Sequence, residues 1–475
     1  MNVLVISANR HPLPVPVIPL GACMISEAAD RAGHAVTFAD LMFEKDPLRA
    51  VEKAIEDAQP EIVGISLRNI DNNDMRNPAF FVSDIVPIIE RIRGKTEAEI
   101  VLGGAAVGVM PEHIMRFTGV SLAVTGDGEI VFPELLDKLS AGESPRGLQG
   151  LATIEDDIFI GNSRSVSIHP HGSTVPDFCR WVDIRGYLAR LSSVPVQTKL
   201  GCHFRCVYCT YRKIEGGSYR LFPPESVADS VRRLASSGLR DIEFVDNVFN
   251  SPYGHAFALC ESLASEKLPI RLCSIELNPA FVDDPLIEVM ERAGFVGIGI
   301  TVESASDKVL EALRKGYTAE DVARSAACIS RHNLPCLWIF LLGGPGETES
   351  SVRETLRFAE RRIRSRDTVF FNIGIRIYPG TELEDIAREQ GILSLAPKDM
   401  LAPVFYLSPE VDSEWLCAQL QSSLDTHMNF INSDSLGLAY LPTLHRISCG
   451  FGVKSPLWRY TRFIRRGLRS VGINA

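Results

Sequence analysis

Strand-length apolar runs alternate with helix-length amphipathic runs through residues 1–140, and the same alternation starts again near Val194. An apolar run without polar alternation needs cover on both faces, so each series predicts a parallel β-sheet flanked by helices, and the fold class is α/β. In the first series the patterning places strands at Asn2–Ser7, Ala35–Ala39, Ile62–Leu67, Ile100–Gly103 and Leu122–Thr125. Helices fit Leu20–Ala32, Pro47–Asp57, Pro78–Arg93, Glu112–Phe117 and Ile130–Leu139. Ligands of open sheets sit outside the carboxyl ends of the strands, which singles out the loops after Ser7, Leu67, Gly103 and Thr125.

From Ala141 to about Arg190 the text turns to Gly, Ser, Pro and Asp, as in GESPRG and HPHGSTVPDF, and reads as a linker with a hairpin at Ala152–Phe159 and its return. The second series predicts strands at Val194–Leu200, Asp241–Asp246, Ile270–Ile275, Gly297–Val302, Cys336–Leu341 and Thr368–Ile377. Its helices fall at about Glu225–Ser236, Gly254–Ser265, Pro285–Ala293, Ala319–His332, Glu349–Arg362 and Leu383–Gln390. Strand–helix units filling about 200 residues suit a partial (β/α)6 barrel, because a closed eight-fold barrel takes about 250. Beyond Met400 the alternation stops, and residues 396–475 read as a helical extension ending in a basic run from Arg459 to Arg469. The division is thus 1–140, a linker 141–190, a barrel 191–395 and the extension, which 475 residues support at about 100–200 per domain.

The segment Gly201-Cys202-His203-Phe204-Arg205-Cys206-Val207-Tyr208-Cys209 follows the first strand of the second series, where a barrel places its active site. Cys202, Cys206 and Cys209 form C-x3-C-x2-C, and three thiolates from one tight loop suit an iron–sulfur cluster. A cubane held by three cysteines leaves one iron open to chelate a substrate or cofactor. A closed zinc site would need a fourth ligand, and His203, adjacent to Cys202, would point the wrong way. A pure electron-transfer cluster would need a fourth cysteine, and the next, Cys260, is remote in sequence. The total of 11 cysteines is odd and most lie far apart, which argues against a disulfide framework; with no basic leader at MNVLVI, a cytoplasmic location is expected.

On these residues the chain resembles the radical S-adenosylmethionine superfamily, from roughly Val194 to Gln390. The resemblance implies a [4Fe-4S] cluster on Cys202, Cys206 and Cys209, S-adenosylmethionine chelated to the open iron through its amino and carboxylate groups, and Tyr208 packed by the adenine. Asp246 and Asn247 end the second strand where the family places groups meeting the methionine amino group, although the glycine-rich GGE form is absent. Glu303 closes the apolar run Gly297–Val302 and by resemblance helps hold the nucleoside or methionine portion; an ion pair with Arg314 or Lys315 is the competing structural role. Gly343, after the fifth strand, would permit close backbone approach to a ligand, as a tight strand-to-helix turn would also require.

The loop after the first strand, Ala8-Asn9-Arg10-His11-Pro12, lacks G-x-G-x-x-G, so a nicotinamide fingerprint is excluded. Gly103-Gly104 and Gly126-Asp127-Gly128-Glu129 punctuate the later strands instead. A Rossmann-like domain of this kind before such a barrel is similar to the cobalamin-binding class of the superfamily. That class implies cobalamin contacts from Ser66, Arg68, Asn69, Gly103, Gly104, Gly126 and Glu129. The D-x-H-x-x-G motif is missing, so a histidine-free cobalt is implied, and the segment Ser66–Asp74 looks like the one lying beneath the corrin ring, with Arg68 covering the lower cobalt face. A surface pair of Arg68 with Asp71 or Asp74 is the competing role.

The resemblance implies a methyltransferase. One S-adenosylmethionine would methylate reduced cobalamin, and another, cleaved on the cluster, would give a deoxyadenosyl radical that removes hydrogen from the carbon to be methylated, with Arg68 and Tyr208 in the catalytic positions. A polar transfer to carbon or phosphorus, toward which the Arg68 text leans, a radical cyclisation and a non-catalytic cobalamin sensor are the alternatives. Implied partners are a small-molecule substrate and a one-electron reductant such as flavodoxin or ferredoxin. A net charge of −10 supplies no global positive field for nucleic acid. No run reaches the ~18 apolar residues of a membrane span. The basic segment Trp458–Arg466 is therefore the one candidate for touching a membrane or an acidic carrier protein, against the commoner role of a helix packed on the core.

Overall fold

The computed structural model describes residues 1–163, 175–396, 399–436 and 441–470. Strands β1 (Asn2–Ser7), β2 (Ala35–Asp40), β3 (Ile62–Ser66), β4 (Glu99–Gly103) and β5 (Leu122–Val124) form a parallel sheet in the order β2-β1-β3-β4-β5. Both faces are covered, as the unbroken apolar runs require, and Val3, Leu4, Val5 and Ile6 are each 0% exposed. Helices Leu20–Arg31 and Gly128–Ser140 close one face with Ala22, Ala29, Phe132 and Leu135. Helices Pro47–Ala58 and Val86–Arg93 close the other with Val51, Ile55, Ile88 and Ile92.

The expected helix Pro78–Arg93 is shortened to a 3-10 turn at Val82–Ile85 followed by helix Val86–Arg93, because Asp71 and Phe80 form an antiparallel bridge that keeps the chain extended beforehand. The expected hairpin is present as β6 (Leu151–Glu155) and β7 (Ile158–Gly161), joined by Asp156 and Asp157 at φ 48° and 63°. Two left-handed residues make the tight turn whose twist matches paired strands. The hairpin adds antiparallel to β5 and so continues the first sheet; the start of the stretch read as linker is part of that domain. His169–Thr174 of that stretch lie outside the described residues.

The second sheet holds β8 (Val194–Val196), β11 (Asp241–Phe244), β12 (Arg271–Leu277), β13 (Phe295–Glu303), β14 (Cys336–Leu342), β15 (Thr368–Ile373) and β18 (Phe430–Asn432). All pair in parallel in the order β8-β11-β12-β13-β14-β15-β18, and the two edge strands do not meet, as in a partial barrel. The expected strand Val194–Leu200 splits. Its end becomes β9 (Lys199–Leu200), paired antiparallel with β10 (Arg220–Leu221), so residues 201–219 form a loop closed at its base by a ribbon. The last expected strand also breaks, at Gly374 (φ 72°), into β15 and β16 (Ile375–Arg376), which pairs with β17 (Phe405–Tyr406).

The extension is not purely helical. It supplies β17 and the seventh barrel strand β18 in addition to helices such as Ser413–Thr426 and Thr461–Ser470. The basic run packs on the core. Trp458 accepts from Thr368 Oγ1 at 2.7 Å through its carbonyl, and Arg465, 5% exposed, donates to the carbonyls of Leu424 (3.1 Å) and His427 (2.9 Å). Those carbonyls belong to the open end of helix Ser413–Thr426, where a cation is favoured. No helix among the described residues is long and apolar enough to cross a membrane.

Candidate active site

The cysteine loop is held at several points. Cys202 N donates to Gly216 O at 3.1 Å, Cys209 N to Cys206 O at 3.1 Å and Val207 N to Leu313 O at 3.2 Å, while Val207 O accepts from Leu383 N at 3.0 Å. Glu215 Oε2 accepts from Gly201 N (3.1 Å) and Asn247 Nδ2 (2.6 Å), which ties the loop to the end of β11. Gly201 sits at φ +83°, and a Cβ there would collide with the Ser218 carbonyl oxygen. A left-handed alanine costs about 1–2 kcal/mol even without a clash. Gly201→Ala is therefore expected to open the ribbon and to lower iron retained after reconstitution several-fold with unchanged far-ultraviolet circular dichroism, both read on the same purified protein.

The three thiols are unbridged, with Cys202 buried and Cys206 and Cys209 half-buried. Burial raises the Cys202 thiol and pushes Cys209 up to about 12, so those two are neutral in the metal-free chain and metal uptake displaces their protons. Between them, Tyr208 donates its hydroxyl to Glu303 Oε1, and Lys315 Nζ lies 3.0 Å from both Tyr208 Oη and Glu303 Oε1. Glu303, at φ 63°, occupies a register shift between β13 and β14 that turns its carboxylate to this pair. Burial alone would lower Lys315, but Glu303 and Tyr208 outweigh it and hold the ammonium well above its ordinary value. The ion pair expected as the competing role of Glu303 is thus formed with Lys315, not Arg314, which pairs with Glu382 at 2.6 Å.

Two further carboxylates face away from the barrel's helices. Ile242 and Phe244 are 0% exposed, so by strand alternation Glu243 points to the opposite face, and Glu276 on β12 accepts from Thr301 Oγ1 at 2.9 Å. Burial pushes both up to about 7, against Arg68 for Glu243 and against the Thr301 hydrogen bond for Glu276. A carboxyl raised in the folded state stabilises below its unfolded value near 4.5 and loses that contribution as pH rises through about 7. The urea midpoint of the cofactor-free chain is expected to fall between pH 4.5 and 7, and Glu243→Gln/Glu276→Gln protein to show a flatter profile.

A cleft of ≈ 390 Å³ opens between the carboxyl ends of the first sheet and the barrel. Ser7, Ser66, Arg68, Gly103, Gly104, Gly126 and Glu129 line one side; Gln197, Leu200, Tyr211, Phe222 and Val245 line the other. Arg68 is open to the cleft yet surrounded by enough protein that desolvation lowers its pKa, with Tyr211 and Glu243 near it. It pairs with neither Asp71 nor Asp74. Asp71 accepts from Arg376 Nε at 2.8 Å, and Asp74 accepts from Arg76 N at 2.9 Å. Asn69 Oδ1, in the amide orientation that satisfies both groups, accepts from Arg68 Nη1 at 3.0 Å.

Two family models match the chain: the B12 binding domain over residues 7–136 and the Radical SAM superfamily over residues 196–359. An uncharacterised methyltransferase of Pyrococcus horikoshii is 28% identical over 386 residues, 79% of each chain, and the tryptophan 2-C-methyltransferase of Streptomyces laurentii is 23% identical over 453 residues, 82% of this chain and 75% of that one. The chain belongs to the cobalamin-dependent radical S-adenosylmethionine methyltransferases. The fold agrees: the radical S-adenosylmethionine methyltransferase TsrM from Kitasatospora setae, solved with cobalamin and a [4Fe-4S] cluster, superposes with a TM-score of 0.85 at 23% identity over 99% of both chains. The cobalamin-dependent radical enzyme OxsB matches with a TM-score of 0.70 at 17% identity, over 99% of this chain and 75% of that one.

The residues present fit the cofactors of this methyltransferase family. The sulfurs of Cys202, Cys206 and Cys209 do not all lie within 4.8 Å of one another. Three soft thiolate donors from one loop suit an iron–sulfur cubane with one open iron. The one ligand set that close among the described residues, Asp284, Cys328 and His332, is closed on itself and on Arg331, whose Nη2 donates to Asp284 Oδ2 at 2.7 Å. The cleft, at ≈ 390 Å³, falls within the ~300–1,000 Å³ range of ligand pockets.

Four sequence-based site residues have other duties. Asp246, 2% exposed, accepts from Thr198 N (2.7 Å), Thr198 Oγ1 (2.6 Å) and Lys199 Nζ (3.2 Å), so its carboxylate holds β8 to β9 and not a methionine amino group. Gly343 packs against Leu407 of the extension, which is why no side chain fits there. Gly104 lines the cleft, but its φ of +94° and missing Cβ accommodate the Leu67 backbone rather than a ligand. Asn247 acts through Glu215 on the cysteine loop. Sequence reasoning passed over Tyr211, Glu243, Glu276 and the Lys315 contact with Tyr208. The carboxylates had a signal: a charge between two apolar residues, as in Ile242-Glu243-Phe244 and Ile275-Glu276-Leu277, marks a barrel strand with a polar inner face.

Proposed function

We propose that this methyltransferase transfers a methyl group from S-adenosylmethionine, by way of cobalamin, to a ring carbon of a small aromatic substrate such as tryptophan or a related indole, and does so by the polar route. The observation that carries the reading is the single cleft shared by Arg68 and by Tyr211, two residues beyond the last cluster cysteine. The bound groups supply reversible methyl acceptance at cobalt and sulfonium binding at an iron; everything else falls to the chain. Cys202, Cys206 and Cys209 hold the cluster, with Glu215 and Asn247 fixing the loop. Ser66, Gly103, Gly126 and Glu129 would border the corrinoid, and Arg68, held by Asn69, would cover the lower side of it. A guanidinium donates no lone pair, so in that place it would exclude a ligand without supplying one, and the cofactor would give up its methyl group more readily.

Tyr208, Glu303 and Lys315 form the charged floor for the sulfonium cofactor: Glu303 is the acceptor for a ribose or ammonium donor, and Lys315 Nζ, 3.0 Å from Oε1, holds that carboxylate in place. Glu243 and Glu276, with values near 7, are placed to accept an N–H of the substrate. Electrons for priming come from a one-electron reductant of the flavodoxin or ferredoxin class. The similarity to the tryptophan 2-C-methyltransferase supports the substrate class. The test is anaerobic incubation with labelled S-adenosylmethionine, reductant, and tryptophan or indole derivatives. Methylated product without deoxyadenosine is expected. Deoxyadenosine in step with product would replace the polar route by hydrogen abstraction, and deoxyadenosine with an unmethylated product would indicate cyclisation.

A further inference from the structure

The polar segment after β3 is clamped to the barrel by a buried ion pair 305 residues apart in sequence: Arg376 Nε donates to Asp71 Oδ2 at 2.8 Å, and the two side chains are 2% and 0% exposed. Arg376 is saturated. Its Nη2 donates to the carbonyls of Met400 (3.0 Å) and Leu401 (3.2 Å) and its Nη1 to those of Ile377 and Val404, so one guanidinium joins β16, the extension and the segment. Asp71 also accepts from Asn73 N at 2.9 Å, and Asn73 Oδ1 accepts from Tyr378 Oη at 3.0 Å. Further along, Met75 packs against Gly374, and Asn77 Nδ2 donates to Asp434 Oδ1 at 2.8 Å. Arg68, three residues before Asp71, has no such buried ion pair; it hydrogen-bonds Asn69, with Tyr211 and Glu243 near it.

Desolvation offsets much of the attraction in a buried pair, and in some proteins such a pair serves to fix one arrangement of the elements it joins. We infer that Asp71 and Arg376 are positioning residues, which lock the 68–77 strap to the mouth of the barrel and so keep the Arg68 guanidinium in the cleft on the lower side of cobalt. This rests on the cobalamin reading of the cleft. The strap also makes the cobalamin domain and the extension one structural unit, since Met400, Leu401 and Asp434 all belong to the extension. A pair acting only as structural glue would change stability and leave the cobalt environment as it is; a positioning pair changes that environment in protein that is still folded.

The experiment is electron paramagnetic resonance of cob(II)alamin bound to full-length protein, comparing wild type with Asp71→Asn, Arg376→Lys, Tyr378→Phe and Arg68→Ala. Wild type is expected to show cobalt without a lower ligand. Arg68→Ala and Asp71→Asn are expected to bind corrinoid within about twofold of wild type and to share a water-coordinated signal, because Asp71→Asn keeps a hydrogen bond but no charge to hold Arg376. Should Asp71→Asn fail to fold, Tyr378→Phe, which removes only the outer Asn73 contact, is expected to give a mixture of the two signals. Wild-type spectra in Asp71→Asn, Arg376→Lys and Tyr378→Phe alongside an altered Arg68→Ala spectrum would overturn the clamp alone. An unaltered Arg68→Ala spectrum, or wild type that takes up no corrinoid, would overturn the reading of the cleft beneath it.

Discussion

Cys206→Ala protein is expected to lose its cluster and all turnover while still binding corrinoid. Cys206 lies between the other two ligands on a loop whose base is closed by β9 and β10, and whose backbone bonds at Cys202, Val207 and Cys209 do not involve its side chain. The loop therefore stays in place when the thiol is removed. Two cysteines do not retain a cubane, so iron should drop from about four per chain to below about one, and the visible absorbance with it. Ser66, Gly103 and Gly126, which line the cleft proposed for the corrinoid, stand on other elements and keep it. Iron analysis, corrinoid titration and a methylation assay on one preparation check all three points. Retained turnover would mean that the cysteine loop is not the seat of the chemistry.

Lys199→Met is expected to give the largest loss of stability of any single change in the barrel. Lys199 and Asp246 are 1% and 0% exposed at their side chains, with Nζ and Oδ2 at 3.2 Å, and Lys199 also donates to Phe249 O at 3.0 Å. Removing one partner of a buried pair leaves the other charge uncompensated and costs about 3–5 kcal/mol. The lost ammonium is worth more here because it sits in β9, just ahead of Gly201, so cluster retention should fall along with the urea midpoint of the barrel transition. Restoring apolar balance with Lys199→Met/Asp246→Leu is expected to recover much of the midpoint, less the Thr198 contacts with Asp246. Equal midpoints for Lys199→Met and wild type would show the pair to be indifferent.

The sequence was most legible where one residue's role depends on near neighbours. Strands of the first sheet could be placed to within a residue because each is an unbroken apolar run closed by a turn, and C-x3-C-x2-C speaks for itself within eight positions. Roles that depend on distant partners were not visible. Asp246 read as a cofactor contact because its bonds to Thr198 and Lys199 come from a strand 48 residues earlier. Asp71 read as a possible mate for Arg68, whereas Arg376 takes it from across the molecule. The text held one unused hint there: Arg376 interrupts the apolar run Phe370–Ile377, and a guanidinium at such a position needs a buried acceptor. The seventh barrel strand, Phe430–Asn432, is three residues long and shows no period at all. It exists because β15 offers an open edge, which only the assembled sheet reveals.

The shared cleft is tested most directly by the magnetic coupling between its two contents. In anaerobic protein carrying both cob(II)alamin and a reduced cubane, the cobalt signal is expected to relax faster than in Cys206→Ala protein carrying cob(II)alamin alone, and the cubane signal to change on addition of S-adenosylmethionine. Full occupancy by both centres with cobalt relaxation identical in the two proteins would place them apart and contradict the arrangement derived from Arg68, Tyr211 and the cysteine loop.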